Sequence, residues 1–594
     1  MTFSARPGAA LALTLCLASC MGDGPTNSGA QVATQPSAVS PFAQCATFAP
    51  DDFVSHTELA PVNLSAQSQL MLRFIHMSDT HITDDDGQFT NGASVIDPAY
   101  PSAQRLQEEY SDEILNNMIG HMNACHAQYP IEFMLATGDI TDLGTIAETR
   151  RFIDNMDGTF DGPSAFEMAC RQNLPEGAPE ELVRSLCQRP TGLGVADTES
   201  TMPDIDNPAY QFQVSRTVLQ VINTETAAAT GRWADGSTDP SRQTLTQAPG
   251  LPQPLRCDAG QGDCPNTQMQ IPWMAAFGNH DGYIRGTVAG GFGFNEASLV
   301  TGRHFIIQQN EFIDEFFFTQ PFPGPIGHGF NFADDQRRND DNVRNDGYYA
   351  FDAGNDRLRM IVLNTMFDGI DDRLGTDLVR NPTAVASGWL DADQFAWLQA
   401  ELEQAYAQRQ LVMVFSHHPD TSFATGAELL LPANVSPAAI DAELASWPHV
   451  LAWVAGHTHQ HKIRAFTVSD GLGSNGSIDT PVLCKVEGAC RGFWQIETAS
   501  LLDHPQEQRL IEVYDNGDGT GTIRAPVFGH TLTEFQDLAR IDRGCTLFPT
   551  GPDDVTNAIT ALSQGSACLG GGVTEGNPAD RNVNLGFVMP WSEN

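Results

Sequence analysis

The sequence predicts an α/β fold, and two observations support this. Short runs of nearly continuous apolar residues, bounded by polar turns, are typical of strands buried on both faces. Helical patterns lie between some of these runs, and strands that alternate with helices indicate an α/β sheet. The predicted strands are residues 71–75, 131–136, 273–277, 358–363, 411–415 and 450–455.

Two segments have the periodicity of an amphipathic helix. In the first, residues 111–128, Ser111 and Asp112 are candidate N-terminal caps. Five apolar residues of this segment share one face: Ile114, Leu115, Met118, Ile119 and Met122. Three apolar residues share a face of the second segment, residues 393–404: Phe395, Leu398 and Leu402.

Composition limits the classes of function. The chain has 594 residues, of which 41% are hydrophobic, so it is long enough for more than one average domain and for a sizeable core. Its 74 acidic residues outnumber 31 basic residues, and the formal net charge is -43. Most of this surface would repel a polyanion, which disfavours extended binding to DNA or RNA. Small anionic substrates remain compatible with this negative charge if the protein holds cations at the binding site.

The N-terminus has the features of a secretory signal peptide. Arg6 precedes an apolar run, residues 9–18, that is too short to span a bilayer. We expect the signal peptide to be residues 1–19, because the Leu-Ala-Ser-Cys motif ending at Cys20 resembles the bacterial lipoprotein box, whose cysteine is acylated. The alternative is an ordinary signal peptide cut nearby. No later apolar run reaches the roughly 18 to 20 residues of a membrane span, so we expect an exported protein of the bacterial envelope, anchored by a lipid on Cys20.

Composition also divides the rest of the chain. Residues 20–68 are rich in Ser, Ala, Pro, Gln and Thr, which suggests a flexible tether. The main domain is expected at residues 69–545, with a long insertion at about 155–270, and residues 546–594 are expected to form a C-terminal extension. A second irregular stretch, residues 321–346, is expected near the mouth of a site.

Twelve cysteines suit an exported protein. One lies in the signal peptide and Cys20 would carry the lipid, so an even number remains and up to five disulfides are expected. The remaining ten are Cys45, Cys125, Cys170, Cys187, Cys257, Cys264, Cys484, Cys490, Cys545 and Cys568. Cys257 with Cys264, and Cys484 with Cys490, are close enough in sequence to close small loops.

Polar residues follow five of the predicted strands at their C-terminal ends. These sequences are Ser78-Asp79-Thr80-His81, Gly138-Asp139, Gly278-Asn279-His280-Asp281, His417-His418-Pro419 and Gly456-His457-Thr458-His459. In open α/β sheets, ligands bind at this edge. We therefore expect these side chains to converge.

Carboxylate, amide and imidazole groups that meet in one place favour a metal site. Left unpaired, such buried groups would each cost roughly 2 to 7 kcal/mol, whereas divalent cations require these ligand types. Oxygen and nitrogen donors without sulfur favour Mn, Fe or Zn. Asp139 is a candidate bridge between two ions, which would then lie about 3.5 to 4 Å apart.

The ordered set of motifs carries a family resemblance. D-x-H, G-D, G-N-H-D, H-x-P and G-H-x-H, in this order, resemble the calcineurin-like metallophosphoesterase superfamily over roughly residues 70–530. Residues 492–500, with His504-Pro-Gln and residues 514–519 after them, are similar to a bacterial branch of secreted, uncharacterised metallophosphoesterases. The resemblance implies a four-layer α/β/β/α sandwich with a large disulfide-containing insertion.

The resemblance implies that Asp79, His81 and His459 hold a first metal ion and that Asp139 bridges to a second.

The second ion would be held by Asn279, His457 and a histidine of the segment after the fifth strand run. His417 is the expected ligand, because family members usually show His-x-Pro with the ligand first. His418 is the alternative, and its other interpretation is a hydrogen-bonding residue behind the ligands.

The implied activity is hydrolysis of phosphoric esters, including nucleotide-type esters, by attack of a metal-bound hydroxide. His280 would protonate the leaving group and Asp281 would orient His280. An aspartate at position 142, three residues after Asp139, is similar to the pattern of class III cyclic nucleotide phosphodiesterases, whereas purple acid phosphatases have a tyrosine there. Asp142 is also a candidate helix cap. Monoesterase and diesterase both remain open, with a small phosphoester as the expected partner. The alternative is a non-catalytic envelope protein that uses the fold for binding or adhesion.

Three further features have simpler interpretations. Residues 515–519 lack the spacing of an EF-hand loop, so a hairpin turn is favoured over a calcium site. Arg285 and Arg303 are candidate substrate contacts or plain surface arginines. His461 is expected at the rim of the site.

Overall fold

The computed structural model describes residues 52–83, 111–144, 146–157, 269–283, 347–366, 386–424, 435–475, 479–530 and 576–591, with short pieces between residues 286 and 330 and between 535 and 539. The expected signal peptide, Cys20, Arg285 and Arg303 lie outside these residues, as do most of the insertion and of the 321–346 stretch. Seven expected disulfide cysteines also lie outside them: Cys45, Cys170, Cys187, Cys257, Cys264, Cys545 and Cys568. Within the described ranges, no helix has the length and apolarity needed to cross a membrane.

Strands dominate this part of the chain. They are β1 (Val54–His56), β2 (Gln69–Met77), β3 (Phe133–Thr137), β4 (Trp273–Ala276), β5 (Tyr349–Ala353), β6 (Leu358–Val362), β7 (Leu411–Ser416), β8 (Val450–Ala455), β9 (Lys462–Ser469), β10 (Leu472–Ser474), β11 (Asp479–Pro481), β12 (Gly492–Glu497), β13 (Glu507–Asp515), β14 (Thr520–Ala525), β15 (Val527–Gly529) and β16 (Val583–Val588). The helices are α1 (Ser111–Gln128), α2 (Ile146–Asp157), the short α3 (Asn279–Gly282), α4 (Ala392–Ala407) and α5 (Pro437–Ala445).

The described strands form two mixed sheets of eight strands each. The first has the order β1-β16-β14-β13-β2-β3-β4, with β15 paired to β13, and the second has the order β11-β10-β9-β12-β8-β7-β6-β5. In the first sheet β2, β3 and β4 are parallel neighbours, and β13 runs antiparallel to β2. In the second sheet β6, β7 and β8 are parallel neighbours. The predicted α/β class is therefore confirmed.

The six apolar runs predicted as strands are all strands: β2, β3, β4, β6, β7 and β8. The burial of β7 shows why its residues are apolar on both faces. Met413 and Phe415 belong to a core to which both sheets contribute. Val412 and Val414 belong to a second core that includes Leu398 of α4. Because different layers cover the two faces of the strand, alternation of polar and apolar residues is absent from it.

Both predicted helices are present. The bounds of α1 are those that the sequence predicts, and α4 begins one residue earlier than expected. This earlier start follows from its cap, because the Asp391 side chain accepts a hydrogen bond of 2.6 Å from the backbone N–H of Gln394. Gln394 then ties α4 to the end of β6, since its side chain exchanges two hydrogen bonds of 2.8 Å with the backbone of Asn364.

Segments near both ends of the chain contribute to the first sheet. β1 lies in the stretch expected to be a tether, yet it pairs in parallel with β16, which lies in the expected C-terminal extension. β16 in turn pairs with β14, and Trp494 Nε1 of the second sheet donates a hydrogen bond of 2.9 Å to Gly586 O. Strand β1 has only three residues and no apolar run, so local patterning gave no signal for it.

Two smaller predictions are also confirmed. β13 and β14 form an antiparallel hairpin, and the turn between them uses its carboxylates for the backbone. Asp515 accepts a hydrogen bond from Gly517 N–H at 2.8 Å, and Asp518 accepts one from Thr520 N–H at 3.0 Å. Cys484 and Cys490 form a disulfide.

Candidate metal centre

The ends of five parallel strands bring the predicted site residues together. β2, β3 and β4 of the first sheet lead into Asp79 and His81, into Asp139, and into Asn279, while β7 and β8 of the second sheet lead into His417, His457 and His459. Side chains that are far apart in sequence meet here, because the carboxyl ends of both sets of strands lie at the same place.

One cluster consists of Asp79, His81, Asp139 and His459, all of them buried. Each offers one ligand atom, and these atoms lie within 4.8 Å of one another. His459 Nε2 lies 3.1 Å from Asp79 Oδ1 and 3.2 Å from His81 Nε2. Two imidazole nitrogens and two carboxylates that face one point form a ligand set that can hold a metal ion.

A second cluster adjoins the first. His417 Nε2 lies 3.0 Å from Asn279 Oδ1 and 3.2 Å from His457 Nδ1. His417 Nε2 also lies 3.1 Å from Asp139 Oδ2. The same carboxylate oxygen lies 4.0 Å from His81 Nε2 of the first cluster. Asp139 therefore faces both clusters with one carboxylate oxygen.

The two neighbouring histidines after β7 differ in their surroundings. His417 Nδ1 donates a hydrogen bond of 2.8 Å to Thr137 O, so its Nε2 is free to face Asp139. His418 Nδ1 lies 2.9 Å from Thr365 Oγ1. His418 is fully buried and forms a potential metal-binding group with His417 and His457. The geometry favours His417 as the ligand that faces Asp139 and keeps His418 beside it.

Outer partners fix the orientation of the rings. His81 Nδ1 lies 3.2 Å from Asp142 Oδ1, and His459 Nδ1 lies 2.5 Å from Asp503 Oδ2. In each ring the opposite nitrogen, Nε2, points into the first cluster. Carboxylates behind ligand histidines fix the tautomer and raise ligand basicity. Sequence reasoning missed Asp503, which follows β12 by six residues and has no motif of its own.

The backbone at this site is strained. Five residues of the two clusters have a left-handed backbone: Asp79 (φ 55), His81 (φ 44), Asp139 (φ 48), His457 (φ 66) and His459 (φ 57). Each such residue costs of order 1 to 2 kcal/mol when it carries a Cβ. Strain at five residues of one site, offset by the buried strands before them, is typical of functional loops.

Two glycines allow the loops to approach each other closely. A Cβ on Gly456 would overlap Ser78 Oγ and lie 2.5 Å from Asp79 Oδ2. A Cβ on Gly278 would overlap the backbone nitrogen and Oδ1 of Asp139. A residue larger than glycine at position 456 or 278 would therefore displace the carboxylate of Asp79 or Asp139, respectively.

Electrostatic compensation keeps the carboxylates ionised. Burial would raise the pKa of Asp139, but His417 and His280 outweigh it and hold this pKa well below its ordinary value. Burial would lower the pKa of His417, and Asp139 instead raises it to about 9. Burial and the neighbouring His417 lower the pKa of His457 to about 3, which leaves this ring neutral and able to coordinate. The buried carboxylates are thus compensated by a protonated His417 beside a neutral His457, and a divalent cation could take the place of that proton.

The two residues predicted to be catalytic have different surroundings. His280 Nδ1 lies 3.2 Å from Asp142 Oδ1, and His280 Nε2 lies 3.9 Å from Asp139 Oδ2. Asp281 does not hold this ring. Its carboxylate accepts hydrogen bonds from the backbone N–H groups of Thr141 and Gly278, at 2.9 and 2.8 Å. Asp281 thus contacts the backbone of its own loop and of the loop after β3, whereas Asp142 contacts His280 Nδ1 with its backbone oxygen at 3.0 Å and its Oδ1 at 3.2 Å.

His461 also differs from its expectation. It was expected at the rim, but it is fully buried, and its Nε2 lies 3.1 Å from Glu507 Oε2. Strand pairing explains this, since His461 forms a bridge with Gly576 of the C-terminal segment.

No protein-family model matches this chain, and no curated protein matches it significantly. The buried His/Asp clusters at the strand ends are able to hold metal ions.

The outer carboxylate of His459 can be tested by Asp503→Asn. We expect metal affinity to fall about 10- to 100-fold, because the amide no longer stabilises the ring that faces Asp79. Chelator competition measures this affinity, and Asp391→Asn, which preserves a helix cap, is the control. Unchanged affinity in the Asp503 variant would contradict the orienting role.

The close approach at Gly456 can be tested by Gly456→Ala. We expect loss of metal binding at micromolar metal, because the added methyl group displaces Ser78 and Asp79. Gly517→Ala is the control, since a Cβ there meets nothing within 4 Å and adds only the strain of its φ of 76°. Metal content of the purified variants is the measurement, and equal content in both would show that the approach is not needed.

Proposed function

We propose that the protein is a dinuclear metal-dependent hydrolase of phosphoric esters, of the calcineurin-like metallophosphoesterase type, with a four-layer α/β/β/α core. The observation that carries this proposal is the position of Asp139. Its Oδ2 lies 3.1 Å from His417 Nε2 and 4.0 Å from His81 Nε2, between the two clusters. One carboxylate that serves two adjoining ligand sets is the arrangement that two-metal hydrolases use.

Each cluster supplies ligands for one ion. In this assignment, Asp79, His81 and His459 bind the first ion, and Asp139 contributes to both. The other ligands of the second ion are Asn279, His417 and His457. Donors of this kind, without sulfur, favour Mn, Fe or Zn.

The bound ions would supply Lewis acidity, which activates water and neutralises charge on the phosphoryl oxygens. The protein's own contribution is to position a proton donor beside them. Asp142 holds Nδ1 of His280, and this leaves Nε2 turned towards Asp139 and the clusters. His280 can thereby deliver a proton to the leaving oxygen, which matters most for poor leaving groups.

The proposed substrates are phosphomonoesters or phosphodiesters, including nucleotide-type esters. A small phosphoester fits a protein of net charge -43 better than an extended polyanion does, because cations held at the metal centre would offset the repulsion locally. We further propose an exported location in the bacterial envelope with a lipid on Cys20, from the motif at that cysteine.

The activity is tested with p-nitrophenyl phosphate and its bis-ester, after loading the protein with Mn, Fe or Zn. We expect hydrolysis of at least one ester by the wild type, and a loss of at least about 100-fold in Asp139→Asn, because one carboxylate serves both ions. The control is Asp470→Asn, an exposed aspartate with a similar left-handed φ of 53°. Two tightly bound ions with no hydrolysis of any ester would favour a non-catalytic binding protein instead.

The role of His280 is tested by leaving-group dependence. We expect His280→Asn to lower the rate for an alkyl phosphoester by about 10²- to 10⁴-fold, because that leaving group needs a proton. The rate for p-nitrophenyl esters should fall much less, since p-nitrophenolate leaves without one. Equal losses on both substrates, at unchanged metal content, would show that His280 is not the proton donor.

A further inference from the structure

A buried group of charged side chains lies behind the metal-site loops, and none of the roles above uses it. It is centred on Arg464 of β9, whose partners are Asp420 and Glu497. The side chains of Arg464, Asp420 and Glu497 are 13%, 6% and 1% exposed. Removing each of these charges from water is costly, so well-aligned ion pairs and hydrogen bonds must offset the cost.

One arm of this group reaches the loop after β7. The guanidinium of Arg464 contacts both carboxylate oxygens of Asp420, with Nη1 3.2 Å from Oδ2. Asp420 follows His417 by three residues and His418 by two. Asn475 Nδ2 donates a further hydrogen bond of 2.8 Å to Asp420 Oδ2. The end of the His417 loop is therefore fixed by a two-pronged contact with β9.

The other arm reaches the loop after β8. Arg464 Nε lies 3.7 Å from Glu497 Oε1 at the end of β12, an ion-pair distance longer than a hydrogen bond, and Lys462 Nζ lies 3.7 Å from the same oxygen. Glu497 Oε2 accepts a hydrogen bond of 2.7 Å from Thr458 Oγ1. Thr458 stands between His457 and His459. One arginine thus connects, through two carboxylates, the two loops that deliver the histidines of the second sheet.

We propose that Arg464 is a positioning residue that sets the relative position of His417 and His457. These two rings come from different loops, yet His417 Nε2 lies 3.2 Å from His457 Nδ1. The His457 loop is also strained, with φ values of 66° at His457 and 57° at His459. A planar guanidinium presents its donors in a fixed fork, which holds Asp420 through two hydrogen bonds, while its charge attracts Glu497 across 3.7 Å. The inference rests on the proposed metal centre and predicts which part of it depends on Arg464.

A purely structural role is the competing account, and a matched arginine separates the two. Arg359 on β6 is 17% exposed and also joins two carboxylates, with Nη1 2.9 Å from Asp352 Oδ1 and Nη2 2.9 Å from Glu401 Oε2. It lies near the amino end of its strand, whereas the metal-site loops follow the carboxyl ends. Removing Arg359 should therefore weaken the contact between β5, β6 and α4 and leave the positions of the metal ligands unchanged.

The first experiment compares Arg464→Met with Arg359→Met. Metal-free protein is titrated with Co²⁺, and the absorption of each bound ion is followed together with chelator competition. We expect Arg464→Met to weaken the site of His417 and His457 about 10- to 100-fold, as loss of an orienting partner does, while the first site keeps its affinity and spectrum. Arg359→Met should match the wild type at both sites.

A milder variant guards against misfolding of Arg464→Met. Thr458→Val removes the hydroxyl that contacts Glu497 and keeps the shape of the side chain. Thr467→Val is its control, since Thr467 lies on the same strand as Arg464 and its Oγ1 contacts Ser474 O at 3.4 Å. We expect weaker Co²⁺ binding in Thr458→Val alone, and faster amide hydrogen exchange in the peptide that contains His457.

The outcomes separate this inference from the proposed activity. If Thr458→Val and a folded Arg464→Met bind both Co²⁺ ions like the wild type, Arg464 is not a positioning residue. Equal weakening at both sites, or in the Arg359 control, would also overturn the inference. If the wild type binds Co²⁺ and the variants behave as expected but no ester is hydrolysed, the positioning role stands and the hydrolase assignment fails.

Discussion

The carboxylate of Asp139, buried between two groups of imidazoles, is the interaction on which the rest of the site depends. Burial of an anion is costly, and His417 and His280 provide the compensation that keeps the pKa of Asp139 well below its usual range. A single oxygen, Oδ2, lies 3.1 Å from His417 Nε2 in one cluster and 4.0 Å from His81 Nε2 in the other. Cations between these groups would replace proton-based compensation with coordination, which is why the arrangement suits a pair of metal ions.

The fold provides this arrangement at a measurable conformational cost. Parallel strands from two sheets end at one place, and the residues that follow them adopt left-handed backbone conformations at Asp79, Asp139 and His457. Glycines at positions 278 and 456 supply the space for the carboxylates. Fully buried strands such as β7 and β8 provide the stability that offsets this strain. Rigid strands with strained ends therefore place ligands more accurately than long loops would.

Local patterns predicted much of this structure and left out what depends on distant contacts. Continuous apolar runs identified β7 and β8 because both faces are covered, and motif order identified the residues that converge. Strand β1 was missed because three residues carry no pattern, and its place depends on pairing with β16. The contact of His280 with Asp142 had no signal in the sequence, because adjacency in sequence does not reveal that Asp281 accepts hydrogen bonds from the backbone of Thr141 and Gly278. Asp503 and Arg464 lack motifs, so only the folded chain relates them to the histidines.

The central claim is that Asp139 is shared between two metal ions, and a crystal structure of the metal-loaded protein with anomalous diffraction tests it most directly. The account predicts two anomalous peaks at the strand ends, one beside His81 and His459, the other beside His417 and His457, with the Asp139 carboxylate coordinating both. A single peak, or two peaks of which neither contacts Asp139, would contradict the account.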